Sequence, residues 1–296
     1  MDSEIAVSIV CTAYNHGKYI RQTLESFVGQ KTNFKFEVLI HDDASTDETA
    51  EIIREYEEKY PDIIKPIYQT ENQYSQSIPI NITYQFPRIK GRYVAFCEGD
   101  DYWCHPRKLQ KQFDIMEKNP DCSMCTHRTV QTYLKGYGKW PCIPWNVVEQ
   151  EGKIDCEELL RILTISGYPF QTSSFFVRYS VYADYINERP DFAQNTGIGD
   201  IPLLLYMASK GWIYFCDDVY SSYQQYADSS WTEKLWTSPE TFNKHYEKTI
   251  DMYIKYNEYL GGIYSEYTQR ICDRIRRRIK NAAIQFEQNT TKYYIE

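Results

Sequence analysis

The feature that most constrains the fold is an alternation of strand-like and helix-like stretches over the first 130 residues. Short apolar runs of strand length lie at 6–12, 36–40, 63–68 and 93–97. Stretches with helical patterning lie at 19–28, 45–60 and 108–118. The second of these opens with Ser45-Thr46-Asp47-Glu48, which has the form of a capping box. Strands that alternate with helices predict parallel βαβ units, so we expect an α/β fold with a mostly parallel sheet flanked by helices.

The second half of the chain is less regular. Periodicity is lost from 133 to 152, which predicts a long surface loop. The elements expected after it are a strand at 172–177, a helix at 201–209 and a short strand at 212–216. From Leu260 to Phe286, apolar residues recur every three or four positions as one helical stripe. We expect an α/β domain over 1–231, divided near residue 130 into two halves, and a helical appendage over 232–296.

Composition excludes several classes of protein. Lys and Arg number 33 against 41 Asp and Glu, and the net charge of −8 disfavours a nucleic-acid partner. No apolar window approaches the roughly 18 residues of a membrane span. The acidic start Met1-Asp2-Ser3-Glu4, followed by a short apolar run, is unlike a secretory signal. We therefore expect a cytoplasmic protein.

The chain contains nine cysteines, an odd number. Cys11, Cys97 and Cys216 lie in strand-like runs, where a free thiol behaves as a small apolar side chain. Cys122 and Cys125 have the spacing of zinc ligands, but no second pair follows at a matching distance, so we assign them no metal. The prediction is that the cysteines are reduced and mostly structural.

Acidic residues follow two of the predicted strands. Asp42-Asp43 ends the second strand, and Glu98-Gly99-Asp100-Asp101 follows the fourth. Ligands of an open parallel sheet bind at the carboxyl ends of its strands, although solvated turns are the alternative because Asp favours turns. Three acids within four residues repel one another unless a cation compensates them. The second group therefore predicts a Mg²⁺ or Mn²⁺ site that also binds a diphosphate.

Three motifs follow one another in the first half of the chain. They are Thr12-Ala13-Tyr14-Asn15 after the first strand, 41–47 after the second, and Gly91-Arg92-Tyr93 leading to 98–103. Together they resemble the family-2 glycosyltransferases of the GT-A fold over about 110 residues. The resemblance implies a Rossmann-like half that binds a nucleotide sugar over 1–130 and an acceptor-binding half over 131–231.

The resemblance also implies roles for single residues. Thr12 and Tyr14 would line the nucleotide site, and Asp43 would accept a hydrogen bond from the base. Asp100 would lie near the ribose, and Asp101 would bind the metal, Mn²⁺ or Mg²⁺. The ion would stabilise the negative charge that develops on the leaving diphosphate.

Two further residues are candidates for the site. Asp200 lies before a Leu-rich stretch, at the place where the family usually has its general base. From spacing alone a helix-capping aspartate is an equally good interpretation, and the resemblance favours the base. Trp103 follows the acids directly, and we name it as a substrate neighbour, with a core residue as the alternative.

The function implied by the resemblance is metal-dependent, inverting transfer of a sugar. The donor would be a nucleoside diphosphate sugar, expected to carry UDP, and the acceptor a hydroxyl of a glycan or of a lipid-linked acceptor. Such a reaction belongs to polysaccharide or surface-glycan biosynthesis. Members of the family often carry a downstream His near the metal, whereas Tyr223-Gln224-Gln225-Tyr226 contains none. A non-catalytic module that binds a nucleotide sugar within a glycan-assembly complex is therefore the alternative.

A basic stretch near the C-terminus interrupts the acidic average. Its members are Arg270, Arg274, Arg276, Arg277, Arg278 and Lys280. A solvated helix face is the commoner reason for such a stretch. The functional alternative is a peripheral contact with anionic lipid on the inner face of the membrane.

Overall fold

The computed structural model of the protein describes residues 4–133, 139–144, 147–196, 198–225 and 235–287. The strands are β1 (Ile5–Ala13), β2 (Lys35–Asp42), β3 (Ile64–Tyr68), β4 (Tyr93–Phe96), β5 (Tyr102–Trp103), β6 (Cys122–Tyr133), β7 (Lys139–Ile143), β8 (Gly152–Ile154), β9 (Phe176–Arg178) and β10 (Trp212–Gln225). The helices are α1 (Ile20–Val28), α2 (Thr49–Lys59), α3 (Lys108–Lys118), α4 (Cys156–Ile165), α5 (Tyr179–Glu188), α6 (Asp200–Lys210), α7 (Pro239–Tyr259) and α8 (Ser265–Glu287).

The strands form one mixed sheet in the order β3-β2-β1-β4-β9-β6-β10-β5, with β7 beside β6 and β8 beside β10. β1 is parallel to β2 and β4, and β2 is parallel to β3. β9 is antiparallel to both β4 and β6, and β10 is parallel to β6. As a result β1, β2, β3, β4, β6 and β10 all end at the same side of the sheet, termed here the carboxyl edge. The expected α/β class is confirmed.

The first half of the sheet is buried on both faces, which explains its continuous apolar runs. In β1, Ile9 packs into a cluster with Leu24 and Phe27 of α1, whereas the neighbouring Val10 packs into a second cluster with residues such as Leu204 of α6. The strands and helices predicted for this half are confirmed, with small differences at their ends. Burial on both faces therefore fixes the position of the strand ends, where the polar loops begin.

The start of α2 differs from the prediction. The capping box at Ser45 is wrong, because Ser45 Oγ accepts a hydrogen bond from the backbone N–H of Asn15 at 2.9 Å. The helix begins at Thr49, and Asp47 Oδ1 accepts a hydrogen bond from the Thr49 N–H at 3.0 Å. A contact with the loop after β1 therefore competes with, and replaces, the local cap.

The second half differs more from the predictions. The stretch 133–152 contains β7 and the start of β8, and helices α4 and α5 were not predicted. The expected strand at 172–177 is a 3-10 turn, Thr172–Ser174, followed by the short strand β9. β10 continues past residue 216 because β6 lies beside it to its end, and Ser221 Oγ lies 2.9 Å from Thr129 Oγ1 of that strand. Ser222 Oγ likewise lies 3.1 Å from Thr132 Oγ1, so two hydroxyl pairs join this polar extension to β6.

The described part of the C-terminal region, residues 235–287, contains the helices α7 and α8. The predicted stripe corresponds to α8, and α7 precedes it, separated by a turn in which Gly261 and Gly262 have φ of 73° and 78°. Tyr253 of α7 and Ile271 of α8 are buried in the same apolar cluster as α4 and α6. Tyr256 of α7 also donates a hydrogen bond to the Leu205 carbonyl of α6 at 2.9 Å. Both helices therefore share the core of the α/β body.

The basic stretch lies on α8. Arg270 pairs with Glu266 at 2.5 Å and Arg276 with Asp273 at 2.8 Å, so part of its charge is compensated within the helix itself. This pairing favours the interpretation as a solvated face. None of the helices in the described part of the chain is long and apolar enough to span a bilayer.

The shared core predicts that the C-terminal helices unfold together with the sheet. Ile271→Ala should lower the free energy of unfolding by about 2–5 kcal/mol, because it leaves a cavity at a fully buried position. The measurement is chemical denaturation followed by far-UV circular dichroism. Ile254→Ala, the same change at a side chain that is 41% exposed, should stay within about 0.5 kcal/mol of the parent. A separate early transition that involves only helix would contradict the shared core.

Candidate active site

The loops that follow β1, β2 and β4 meet at the carboxyl edge because these strands lie side by side and run in one direction. The loop after β4, residues 98–101, is termed here the acid turn. The antiparallel strand β9 begins at the same edge, and the 3-10 turn Thr172–Ser174, which precedes it, is termed here the hydroxyl turn. Helix α6 brings Asp200, its first residue, to this edge as well.

The first two sequence motifs hold each other in place. Asn15 lies in the left-handed region at φ 55°, and its side-chain oxygen accepts a hydrogen bond from the Thr46 N–H at 2.8 Å. Ser45 accepts from the Asn15 N–H at 2.9 Å, and Asp47 accepts from the Gly17 N–H at 2.9 Å. The loops after β1 and β2 therefore form one hydrogen-bonded unit.

Of the two residues predicted to line the nucleotide site, Thr12 lies near the end of β1 and Tyr14 lies on the loop that follows. Tyr14 is 39% exposed. Thr12 is partly buried, and its hydroxyl donates to Asn81 Oδ1 at 3.3 Å. Both side chains are therefore positioned to contact a ligand at the carboxyl edge.

Asp43 has a different environment from the one expected. Its side chain is buried, Oδ1 accepts from the Gln73 N–H at 2.8 Å and Oδ2 accepts from the Tyr74 N–H at 3.0 Å. His41 Nε2 lies 3.4 Å from Oδ1. The carboxylate thus holds the loop after β3, and Tyr74 on that loop is 61% exposed.

Donors from three elements hold the acid turn. The Thr23 hydroxyl on α1 contacts the carbonyl oxygens of Gly99 at 3.0 Å and of Asp101 at 2.6 Å. Asp101 Oδ1 accepts from the Gln224 N–H of β10 at 3.0 Å. The Ser173 hydroxyl, which donates to Ser221 Oγ at 3.2 Å, lies close enough to favour the charged form of the Asp101 carboxyl. Asp101 is consequently only 4% exposed.

The carboxylates of the acid turn affect one another. Burial raises the pKa of Asp100 to about 6. The protein packed around Glu98, whose side chain keeps solvent access, raises its pKa to about 7, with a further contribution from the charge of Asp100. Burial and then the charges of both neighbours raise the pKa of Asp101. His16 Nε2 lies 3.9 Å from Asp100 Oδ2, but burial lowers the pKa of His16 to about 4, so the neutral ring cancels none of this charge at pH 7.

This uncompensated charge fits a divalent cation. Within the ranges that the structure describes, no three Asp, Glu, His or Cys side chains converge as a complete metal site. Mg²⁺ and Mn²⁺ are commonly bound by one or two carboxylates, with substrate phosphate and water as the other ligands. The acid turn therefore suits an ion that binds together with a diphosphate.

Asp200 faces the acid turn. Its Oδ1 accepts from the Ile201 N–H at 2.8 Å, and its Oδ2 receives the Thr172 hydroxyl at 3.4 Å. Burial raises the pKa of Asp200 to about 7, and the charge of Glu98 contributes to the rise. Burial raises the pKa of Tyr253 of α7, and the charge of Asp200 makes a smaller contribution to that rise. The structure thus brings Asp200 to the same edge of the sheet as the acid turn.

The interpretation of Trp103 as a substrate neighbour is wrong. Its side chain is 3% exposed and packs edge-on against Phe27, with ring centroids 4.8 Å apart. Lys108 Nζ lies 4.1 Å from the ring centroid, and the indole N–H donates to the Ser173 carbonyl at 3.0 Å. Trp103 is therefore a core residue that supports the site from behind.

Sequence reasoning missed the residues that hold the acids. Thr172, Ser173 and the backbone of Gln224 contact Asp200 or Asp101, yet none was singled out. The available signal was the polar run Gln171-Thr172-Ser173-Ser174 between two apolar stretches, where a buried strand was expected. Of the stretch 223–226, Tyr226 lies outside the described residues.

The fold and the acid turn at its carboxyl edge define an α/β protein of the GT-A type. The sequence model of glycosyl transferase family 2 matches residues 8–182, which is more than half of the chain. The chain therefore belongs to this family.

Curated relatives match part of the chain. "Uncharacterized protein Rv1520" of Mycobacterium tuberculosis is 39% identical over 141 residues, which is 47% of this chain and 40% of the relative. WfaP of Escherichia coli, a UDP-Glc:alpha-D-GlcNAc-diphosphoundecaprenol beta-1,3-glucosyltransferase, is 36% identical over 111 residues, which is 38% of this chain and 41% of WfaP. The match thus spans about two fifths of the length of these curated relatives.

Solved structures share the fold at low identity. Staphylococcus aureus TarS 1-349, in complex with UDP-GlcNAc, has a TM-score of 0.62 and 19% identity over 85% of this chain and 66% of TarS. The mannosyltransferase PcManGT of Pyrobaculum calidifontis, in complex with GDP-Man and Mn²⁺, has a TM-score of 0.56 and 14% identity over 97% of this chain and 79% of its own.

The close packing at Gly99 predicts that the acid turn tolerates no side chain there. A Cβ at this position would lie 2.7 Å from His16 Nδ1 and 3.0 Å from the Ala13 Cβ. Gly99→Ala should lower the free energy of unfolding by about 1–3 kcal/mol and weaken Mn²⁺-dependent nucleotide binding, because the turn must move. Calorimetry and denaturation measure the two effects. Gly199→Ala, where a Cβ would meet open space, is the control and should change stability by less than about 0.5 kcal/mol. Equal behaviour of the two variants would contradict the prediction.

Proposed function

We propose that this chain is an inverting glycosyltransferase whose donor is a nucleoside diphosphate sugar, with UDP as the expected nucleotide. The acceptor would be a hydroxyl of a glycan or of a lipid-linked acceptor, in polysaccharide or surface-glycan synthesis. The observation that carries the proposal is that Asp200 and the acid turn lie at the same edge of the sheet, close enough for the charge of Glu98 to add to the effect of burial, which raises the pKa of Asp200 to about 7. The UDP-sugar named for WfaP and the UDP-GlcNAc complex of TarS support the choice of donor.

In this proposal the nucleotide binds to the half formed by residues 1–130, and the acceptor to the half formed by 131–231. Thr12 and Tyr14 line the nucleotide pocket. Asp43 acts through the loop that it holds, since both of its oxygens already accept backbone hydrogen bonds. The exposed Tyr74 on that loop forms a further part of the pocket.

The divalent ion, Mn²⁺ or Mg²⁺, is assigned to Asp100 rather than to Asp101 of the motif. Asp101 is 4% exposed and engaged with Gln224 and Ser173, whereas the Asp100 side chain keeps 17% exposure. When bound, such an ion stabilises negative charge on a leaving diphosphate. The Mn²⁺ complex of PcManGT supports the choice of ion. In this assignment Asp101 holds the turn that presents Asp100.

Asp200 is the proposed general base. Its carboxylate takes the proton of the acceptor hydroxyl while the hydroxyl oxygen forms a bond to the anomeric carbon of the donor sugar. The bond from that carbon to the diphosphate oxygen breaks, and its electron pair leaves with the diphosphate. Attack from the opposite face inverts the configuration. A carboxyl with a pKa of about 7 suits proton abstraction near neutral pH.

The assignment of the ion predicts opposite effects for two neighbouring acids. Asp100→Ala should weaken Mn²⁺-dependent UDP binding at least tenfold, corresponding to roughly 1.4 kcal/mol, without lowering stability, because it removes a like charge. Asp101→Ala should lower the free energy of unfolding by about 1–3 kcal/mol, because it leaves the Gln224 N–H without its acceptor. Titration calorimetry with and without Mn²⁺, together with denaturation, separates the two. If only Asp101→Ala lost the Mn²⁺ dependence of UDP binding, and its free energy of unfolding were unchanged, the ion would be assigned to Asp101 instead.

The proposed base predicts the dependence of turnover on pH. Because Asp200 must be deprotonated to act, turnover should rise with pH through about 7 and then level off. Asp200→Asn should bind UDP with unchanged affinity and lose turnover by about 10²–10⁴-fold. Nucleotide release measures turnover, and calorimetry measures binding. Full activity of Asp200→Asn would place the base elsewhere.

One experiment tests transfer against the alternative of a non-catalytic binding module. The purified protein is incubated with Mn²⁺, a panel of nucleotide sugars and hydroxyl acceptors, including polyprenyl-diphosphate-linked sugars, and released nucleotide is measured. Release that depends on acceptor and is lost in Asp200→Asn is the expected result. Donor binding without release for every acceptor would favour the binding module.

A further inference from the structure

The hydroxyl turn connects three parts of the site through three consecutive side chains. Thr172 contacts Asp200 on α6, with its hydroxyl 3.4 Å from Oδ2. The Ser173 hydroxyl donates to Ser221 Oγ of β10 at 3.2 Å and lies close enough to Asp101 to favour the charged form of its carboxyl. Ser174 Oγ lies 2.6 Å from Thr126 Oγ1 of β6. Because these residues follow one another directly, the positions of the two acids are tied through a single turn of chain.

Side chains from the far side of the sheet fix the backbone of this turn. The Ser173 carbonyl accepts from Trp103 Nε1 at 3.0 Å, and the Ser174 carbonyl accepts from Gln112 Nε2 at 3.0 Å. Ser173 and Ser174 are fully buried. The turn therefore has little freedom to move independently of the core. Its side chains consequently hold a fixed position relative to Asp101 and Asp200.

We infer that the hydroxyl turn sets the position of Asp200 relative to the acid turn, with Thr172 as a positioning residue for Asp200 and Ser173 as a positioning residue for Asp101. The inference rests on the proposed function and assigns a separate effect to each residue. Thr172 affects proton transfer to Asp200, and Ser173 affects binding of the ion and the donor.

The carboxylate of Asp200 is held at both oxygens. Oδ1 accepts from the Ile201 N–H at 2.8 Å, and Oδ2 receives the Thr172 hydroxyl, which fixes the rotation of the carboxylate about its Cβ–Cγ bond. A hydroxyl that donates to a carboxylate stabilises its charged form. The other titratable groups that interact with Asp200 are Glu98 of the acid turn, whose charge adds to the raised pKa of Asp200, and Tyr253 of α7. The charge of Arg274 of α8 acts on Tyr253 in turn.

The test follows the Asp200 carboxyl directly, by ¹³C NMR of protein labelled at the aspartate side-chain carbon. The Asp200 resonance is assigned by its loss in Asp200→Asn. In Thr172→Val, which keeps the shape and removes the hydroxyl, the titration midpoint of Asp200 should rise by about one pH unit. Thr172→Ser should restore it. In Thr172→Val the rise of turnover with pH should shift to higher pH by the same amount, and the affinity for UDP should be unchanged.

The matched control is Thr126→Val, which breaks the Thr126–Ser174 contact of the same buried network and touches neither acid. It should lower thermal stability and leave the Asp200 midpoint in place. Ser173→Ala should weaken Mn²⁺-dependent UDP binding and leave the Asp200 midpoint unchanged. An unchanged midpoint in Thr172→Val, or an equal shift in Thr126→Val, would overturn the inference. The NMR titration needs no turnover, so failure of the parent protein to transfer sugar would count against the proposed function and leave this test intact.

Discussion

The structure depends on holding like charges close together at the end of a buried strand. Glu98, Asp100 and Asp101 follow β4 at once, and burial of Asp100 and Asp101 raises the pKa of both, so the fold places these two where a negative charge is costly. Hydrogen bonds from Thr23 of α1 and from the Gln224 N–H of β10 hold the turn in spite of that cost. Strain of this kind is typical of functional sites, where a ligand supplies the missing opposite charge.

The rest of the fold can be understood as the support of this turn. The parallel strands bring the motif loops to one edge, and the antiparallel β9 brings the hydroxyl turn to the same edge from the opposite direction. The C-terminal helices support α6, the helix that begins with Asp200, because Tyr253 of α7 and Ile271 of α8 are buried in the same apolar cluster as Leu204 of α6. The site is thus made by elements that are far apart in the chain, and each supplies one or two contacts.

The sequence predicted the first half of the fold well and the partners of its residues poorly. Local apolar patterns determine β1, β2, β4 and α3, since burial on both faces leaves a clear signal. Ser45 shows where such reasoning fails: its local pattern is that of a helix cap, but a longer-range contact with Asn15 takes its hydroxyl. The prediction for Trp103 failed for a similar reason. Trp103 is close to the acids in sequence, but its indole is buried in the core and not exposed to the site.

From the sequence alone follow the α/β class, the position of the acids after their strands, and the resemblance carried by Thr12, Tyr14 and the acid turn. These depend on short-range order, which a linear pattern records. Only the tertiary structure decided that Asp101 faces inward while Asp100 keeps access to solvent, and that the hydroxyl turn joins Asp101 to Asp200. The direction of a side chain is set by the donors that surround it. Those donors, on α1, in the hydroxyl turn and on β10, come from segments that the linear pattern does not relate to one another.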